Sequence, residues 1–204
     1  MSAAAYFDVD GTLTRRDTLL PFLADLVGPG RLARALAVAA IGRPTRDAAK
    51  ERLLVHLLRG RPHAEIEAAG RTFGDRLARE GISPPMRERI DWHDARGHDL
   101  VIVSASLACY LEPAAAGLGI GSVLATRLEV VDGHCTGRLD GGNCRGIEKA
   151  RRLRAHLVVA LAQLLRDLLR ELFFGRFRRR KRFFLLLSRR AQSAELDDER
   201  RSFR

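Results

Sequence analysis

Two short apolar runs constrain this chain more than any other feature. Ala3–Phe7 stops at Asp8-Val-Asp10-Gly11-Thr12, and Asp99–Val103 stops at Ser104-Ala-Ser106. Such a run, ended by a small polar loop, is the pattern of a buried strand that delivers its loop to a sheet edge. Roughly 70 residues of helical pattern lie between the two, far more than one crossover requires. Leu19, Phe22, Leu23 and Leu26 share a helical face, a Gly28-Pro-Gly30 turn follows, and Leu32–Ile41, Thr45–Leu58 and Ala64–Arg79 continue the pattern. Ser83-Pro84-Pro85 then opens Met86–Arg96. Beyond the second strand the chain predicts a helix over Leu107–Ala116, a Gly117–Gly121 turn, a strand over Ser122–Thr126, and a hairpin of Arg127–Val131 with Cys135–Leu139 around Asp132-Gly133. From Glu148 the pattern is helical again. Strands alternating with helices predict an α/β core with a parallel sheet, and the surplus helices read as an inserted cap.

The chain has 204 residues, 46% of them hydrophobic and 30% charged, which is enough to bury one sizeable core and excludes disorder over its whole length. No apolar run reaches the length of a membrane span; Leu157–Phe174 comes nearest and carries Arg166, Asp167, Arg170 and Glu171. The N-terminus shows no basic region followed by a long apolar stretch, so no secretory signal is read there. Cys109, Cys135 and Cys144 form an odd set without a CxxC pair, poor material for a disulfide framework. The expectation is a cytoplasmic protein with no transmembrane segment. The net charge of +11 is unevenly placed: residues 151–204 hold 16 Lys and Arg against 6 Asp and Glu, whereas residues 1–150 hold 20 against 19. The basic character therefore belongs to the tail, and the first 150 residues have the balance of an ordinary enzyme with no obligate nucleic-acid partner.

Asp8 and Asp10 stand two residues apart where a buried strand ends, the place where open α/β folds put their ligand sites. Paired carboxylates suit a divalent cation and a covalent phosphoryl transfer, in which one attacks while the other handles the leaving-group proton and then activates water. A solvated loop with a turn-forming Asp-Gly accounts for the same residues. The spacing alone leaves both readings open.

The motifs decide between them. Asp8-Val-Asp10-Gly11-Thr12-Leu13-Thr14 resembles motif I of the haloacid dehalogenase superfamily. With a helical insert directly behind it, the DGTLT form is similar to subfamily IB, the phosphoserine-phosphatase-like branch. Val101-Ile-Val-Ser104-Ala-Ser106 resembles motif II, and Gly146-Ile-Glu-Lys149 resembles the Gly-x-x-Lys of motif III. The resemblance implies a Rossmann-like core from residues 1–14 plus 86–156, a helical cap over 15–85, and an atypical basic amphipathic tail over 157–204. It also implies Mg²⁺-dependent hydrolysis of a small phosphorylated metabolite, with phosphoserine suggested by the nearest branch. In the implied roles, Asp8 is the nucleophile that forms an aspartyl-phosphate, and Asp10 is the general acid/base whose main-chain carbonyl helps hold Mg²⁺. Asp8 and Asp10 are thus also the metal residues. Ser104 hydrogen-bonds a phosphoryl oxygen, Gly11, Thr12 and Ala105 contribute to substrate binding, and Lys149 neutralises the transferring group. An acid at position 10 favours phosphatase over dehalogenase chemistry within the family.

The resemblance breaks after Lys149. The family's fourth motif is an acidic loop after another buried strand, which completes the magnesium site. In its place Leu153, Leu157, Leu161, Leu164, Leu168 and Leu172 mark a long amphipathic helix, followed by arginines alternating with Phe and Leu over Phe173–Arg190. Asp197-Asp198 has neither an apolar strand leading into it nor a preceding glycine. Three accounts of the tail stand. One is an altered reading frame in a GC-rich gene, the favoured account. Another is a basic-aromatic segment, 173–190, that makes weak contact with an anionic surface or with nucleic acid. The last is a poorly folded extension. The alternative function is accordingly a catalytically inactive relative whose basic tail binds an anionic membrane surface or nucleic acid. Gly117-x-Gly119-x-Gly121 follows a helix and precedes a strand, so it reads as a turn and not a dinucleotide loop. His134, Cys135 and Cys144 lack a fourth partner for zinc, and His93 and His98 read as surface or capping residues.

Overall fold

The computed structural model describes residues 3–170. The chain divides into two compact units, Met1–Leu153 and Arg154–Arg204, and the sheet, the helical insert and the candidate site all lie in the first. Four strands, β1 (Ala4–Phe7), β2 (Asp99–Leu107), β3 (Ser122–Val131) and β4 (His134–Asp140), form one sheet in the order β1-β2-β3-β4. β1 pairs parallel with β2 and β2 with β3, while β3 and β4 form an antiparallel hairpin. The sheet is therefore mixed, with its parallel part at the end that carries the two polar loops.

Residue type explains these strands. In β2 the alternating side chains are buried on both faces: Leu100 and Ile102 join the main core, while Val101 and Val103 meet Tyr6, Leu124, Cys144 and Leu153 on the other side. A strand covered on both faces has to be apolar almost throughout, and Asp-Leu-Val-Ile-Val is. β2 also runs further than its sequence suggests. Ser104-Ala-Ser106, expected as a loop, continues the strand to Leu107, and the Leu107–Ala116 helix starts one residue later as α6 (Ala108–Gly117). The cause is a bulge: Val103 pairs with Leu124 but Leu107 pairs with Thr126, so β2 spends four steps where β3 spends two. Likewise, Ser122–Thr126 and Arg127–Val131 are one continuous strand, with a register shift between Leu128 and Val130.

Between β1 and β2 lie α1 (Leu19–Val27), α2 (Pro29–Ala39), α3 (Arg46–Leu58), α4 (His63–Arg76), a π-helical turn (Leu77–Gly81) and α5 (Pro84–Asp94). Pro29 and Pro84 sit in the first turn of α2 and α5, where a missing N–H costs nothing. The Thr45 hydroxyl caps α3 by accepting from Ala48 N. The chain segments entering and leaving the helical insert run side by side: Thr14 bridges to Ile82, and Ser83 N donates to Leu13 O at 3.0 Å. Insert and sheet share one continuous core, from Phe7 and Ile102 to Phe22, Leu54 and Phe73, so they belong to one compact unit. The last element, α7 (Gly146–Arg170), follows the hairpin. Among its described residues from Arg154 onward, Leu157, Leu161, Leu164 and Leu168 are exposed. The segment 173–190 and Asp197-Asp198 lie outside the described residues, and no described helix is long and apolar enough to cross a membrane.

Candidate active site

The site forms where β1 and β2 end and α7 begins. Asp8 follows the last residue of β1, and its Oδ1 lies 3.1 Å from Lys149 Nζ. Oδ1 also accepts from Val9 N at 2.9 Å, which fixes the carboxylate against its own backbone. Lys149 stands in the first turn of α7. That turn is anchored by Arg152, which gives Nε to Glu148 Oε1 at 2.7 Å, Nη1 to Ala125 O, and Nη2 to the carbonyls of Gly141 and Gly142. Hydrogen bonds from Arg151 and Arg152 hold the Glu148 carboxyl down at about 2.

Asp10 is held differently. Its Oδ1 accepts from Thr18 N at 2.9 Å and from the Thr18 hydroxyl at 2.7 Å, and its Oδ2 accepts from the Ser106 hydroxyl at 2.6 Å. Both hydroxyl hydrogens are thereby committed to the carboxylate, so the Tyr110 hydroxyl, 3.0 Å from Thr18 Oγ1, acts as the donor in that contact. Tyr110 is fully buried, and burial pushes its phenol well above the ordinary range. The bulge in β2 allows this arrangement: it turns Ser106 towards Asp10, while Ser104 Oγ accepts from Ser106 N at 3.1 Å.

A cavity of about 470 Å³ opens over these groups. Asp8, Asp10, Ser104, Ala105, Ser106 and Lys149 line its floor, and α1, α2 and α3 form its other wall. Asp8, Asp10, Ser104, Ala105 and Lys149 are thus brought together. Gly11 and Thr12 are not. They lie exposed in the turn after Asp10 and do not line the cavity. Gly11 has the positive φ of 77° that lets the chain turn there, and Thr12 N is spent on Val9 O at 3.1 Å, which leaves that amide no donor for a substrate. Ala105 takes part through its carbonyl, which accepts from Lys50 Nζ at 2.5 Å and from the Thr126 hydroxyl at 2.8 Å.

Lys50 is the residue that sequence reasoning missed. It sits on α3, in a charged stretch (Arg46-Asp-Ala-Ala-Lys50-Glu-Arg52) that looks like an ordinary solvated helix face. Its ammonium nevertheless reaches Asn143 Oδ1 at 2.7 Å as well as Ala105 O. Burial lowers its pKa to about 8, against the opposing pull of Asp47, Asp10 and Asp17. Asn143 Nδ2 in turn donates to Asp47 Oδ1 at 2.8 Å, so α3 is clipped to the loop that leads into α7.

The metal question turns on oxygen donors. Among the described residues no three acidic, His or Cys side chains converge to form a cation cage. Asp8 presents a carboxylate that is half exposed at the cavity, and the Asp10 side chain accepts three donors, two on Oδ1 and one on Oδ2, which leaves a lone pair of Oδ2 free for a proton. Hard oxygen donors of this kind fit Mg²⁺, which keeps several waters and takes only one or two carboxylates beside a substrate phosphate. They fit as a sparse set, in which Asp8 would contribute its side chain.

A half-exposed carboxylate at a sheet edge, faced by a lysine at a helix start and flanked by a second carboxylate fixed by hydroxyls, makes a charged pocket where an α/β fold places its ligands. Comparison with known proteins gives its class. The profile of the haloacid dehalogenase-like hydrolases matches residues 5–174, and the chain belongs to that family. It is 37% identical over 155 residues to protein CicA of Caulobacter vibrioides, covering 72% of this chain and 69% of that one. It is 29% identical over 166 residues to the phosphoserine phosphatase SerB1 of Mycobacterium tuberculosis, covering 76% of this chain but 54% of that one. Among solved structures, a protein of unknown function from Bordetella pertussis superposes with a TM-score of 0.65 at 24% identity, over 78% of this chain and 76% of that one. A HAD family hydrolase from Salmonella enterica serovar Typhi gives 0.57 at 19% identity, over 79% and 54%. At those identities the superpositions speak for the fold alone.

Proposed function

We propose that this chain is a Mg²⁺-dependent phosphomonoesterase acting on a small phosphorylated metabolite through a phospho-Asp8 intermediate. The single observation that carries the reading is the 3.1 Å approach of Lys149 Nζ to Asp8 Oδ1 beside the hydroxyl-bound Asp10. In the first step an Asp8 carboxylate oxygen attacks phosphorus, the ester P–O bond breaks, and Asp10 gives its proton to the departing alkoxide. In the second step water attacks the acyl-phosphate and loses its proton to Asp10, while the Asp8–phosphorus bond breaks to release inorganic phosphate. Lys149 neutralises charge on the transferring group throughout, and Ser104 bonds one of its oxygens. Asp8 and the main-chain carbonyl of Asp10 would hold magnesium, which would supply charge neutralisation. The named activity of SerB1 supports phosphomonoester hydrolysis as the reaction class. The three free, buried thiols support a reducing compartment, hence the cytoplasm.

The test is Mg²⁺-dependent release of phosphate from 4-nitrophenyl phosphate by the full chain, with Asp8→Asn as the blank. Turnover above the blank is expected, and equal rates in both proteins would overturn the reading. The exposed leucines of Arg154–Arg170 favour a second reading, a chain that binds anionic membrane through its tail. Co-sedimentation with phosphatidylserine vesicles, weakened by salt, is its signature.

A further inference from the structure

We propose that the alcohol released by this site is apolar, so that the substrate is an aliphatic or aryl phosphomonoester and not a phosphorylated amino acid. This rests on the phosphomonoesterase reading above and concerns what occupies the rest of the same cavity.

The cavity is two-faced. The floor carries the carboxylates, Ser104 and Lys149, while the helices facing it contribute Leu19 and Leu20 of α1, Leu36, Ala39 and Ala40 around the end of α2, and Leu53 of α3, with Asp17, Arg46, Asp47 and Lys50 at the rim. Leu20 and Leu36 are 39% and 37% exposed there. The fold does not need them apolar. α2 already buries Leu32, Ala35 and Ala39 against the core, and α1 buries Phe22 and Leu23, which satisfies the inward stripe of each helix. Two exposed leucines opposite a nucleophilic carboxylate, on helices whose inward faces are complete, are accounted for by a ligand that covers them.

The charges around the rim each have a contact within the fold, the exposed Arg46 and Arg145 only at 3.8 and 3.5 Å. Asp17 accepts from Leu19 N at 2.9 Å and lies 3.8 Å from Arg46. Asp47 takes Asn143 Nδ2 at 2.8 Å and Arg145 at 3.5 Å, and Lys50 is bound to Ala105 O and Asn143 Oδ1. An amino-acid leaving group brings a carboxylate and an ammonium a few bonds apart. Each would have to compete with these contacts for a rim group or lie against leucine without a partner, and an unpaired buried charge is costly. A hydrocarbon group faces neither penalty. It removes the wall from water and closes the space above Asp8, which strengthens every electrostatic contact on the floor. At about 470 Å³ the cavity has the size of sites that hold such groups.

The experiment is calorimetric titration of the full chain, in Mg²⁺, with methyl-, butyl- and octylphosphonate and with 2-amino-4-phosphonobutanoate, the non-hydrolysable counterpart of phosphoserine. kcat/KM for the matching alkyl phosphates is measured beside it. Affinity should rise about two- to fourfold per methylene between methyl and butyl, and butylphosphonate should bind at least tenfold tighter than the amino-acid phosphonate. Leu36→Asn and Leu20→Asn, both at exposed positions, should flatten the chain-length dependence and leave methylphosphonate within about twofold. Affinity independent of chain length, preference for the amino-acid phosphonate, or no binding of any phosphonate would overturn the proposal. Failure of the phosphatase reading looks different: alkylphosphonates then bind with the expected slope, while Asp8→Asn releases phosphate as fast as the unmodified chain.

Discussion

The Ser106 hydroxyl donates to Asp10 Oδ2 at 2.6 Å from the far end of a strand bulge, joining two residues 96 positions apart in the chain. With Thr18 holding Oδ1, the bond fixes the plane of the carboxylate that, in the proposed mechanism, passes a proton to the leaving oxygen. Ser106 is therefore a positioning residue. Ser106→Ala should lower kcat about tenfold or more with little change in KM, because the lost orientation matters in the transition state and not in binding. Ser106→Thr, which restores the hydroxyl, should recover most of the loss. Steady-state kinetics of the two variants decides it, and an equal fall in both would point to packing damage instead.

Lys149 faces Asp8 across a gap of 3.1 Å, with its side chain 28% exposed. In the proposed mechanism its charge offsets the repulsion between the Asp8 anion and an incoming phosphate dianion. Lys149→Met should reduce kcat/KM by about 10²–10³, the range seen when one preorganised charge-stabilising donor is removed. Lys149→Arg should recover part of it, limited by the wider guanidinium. The Arg152 anchor gives an independent check: Arg152→Ala frees the first turn of α7 from Ala125, Gly141 and Gly142 and should cost activity without touching the cavity.

The sparse oxygen set shapes the metal response. If, as proposed, one half-exposed carboxylate and one carbonyl are the protein donors, most Mg²⁺ ligands have to come from water and substrate. Activation should therefore require millimolar Mg²⁺ and tighten when substrate is saturating, and EDTA should abolish turnover. Rate against Mg²⁺ concentration at two substrate levels measures this. Saturation at micromolar Mg²⁺ would mean that Asp197 or Asp198, outside the described residues, completes the site; Asp197→Asn and Asp198→Asn then show which.

Much of this centre is written locally in the chain. Asp8 and Asp10 follow a strand, Ser104 lies near the end of one and Lys149 opens a helix, and in a parallel sheet those ends meet at one edge, so linear order foretells the cluster. The helical insert is legible for a similar reason, since surplus helical period has nowhere else to go. What the sequence hides are relations made by packing. The bulge that turns Ser106 inward depends on how β2 registers against β3, which no local pattern encodes. Lys50 resembles any solvated lysine until α3 docks and carries it to Ala105 and Asn143. Gly11 and Thr12 err in the opposite direction: their motif places them beside the phosphate, while the turn they form spends the Thr12 amide on Val9.

The burial of Lys50 makes its contribution depend on pH. Its folded pKa of about 8 lies below the ordinary 10.5, chiefly through desolvation. Between those values the unfolded chain binds more protons than the folded one, so stability rises with pH across the window, and the cost of burying the charge is fully present below pH 8. The difference in unfolding free energy between the unmodified chain and Lys50→Met should accordingly shift in favour of the unmodified chain from pH 7 to 10, by no more than about 3 kcal/mol. Urea midpoints of the two proteins across that range read it. The subtraction removes every other titrating group, and a pH-independent difference would mean that Lys50 is solvated in the folded state.

The seating of α4 on α6 is set by an interhelix contact without side chains. Pro113 lies inside α6 and has no N–H to offer the carbonyl of Cys109 one turn earlier. Against that carbonyl α4 places Gly70, where an added Cβ would stand 2.4 Å from Cys109 O, and one turn on Gly74 meets Tyr110 O in the same way. The two glycines let the helix backbones close up, and Cα–H groups face the carbonyl that proline leaves without its helical donor. Two effects of opposite sign then compete in Gly70→Ala. Helix propensity alone would stabilise α4 by up to about 1 kcal/mol. Pushing two helix backbones apart costs about 1–3 kcal/mol, and it displaces Tyr110, whose hydroxyl supports Thr18 and through it Asp10. The clash should win, giving a net loss of stability together with a fall in kcat. Gly30→Ala, in the first turn of α2 with open space around it, carries the propensity term without the clash and should be neutral or slightly stabilising. Urea denaturation of both variants separates the two effects, and a stabilised Gly70→Ala would show that α4 and α6 are not in backbone contact.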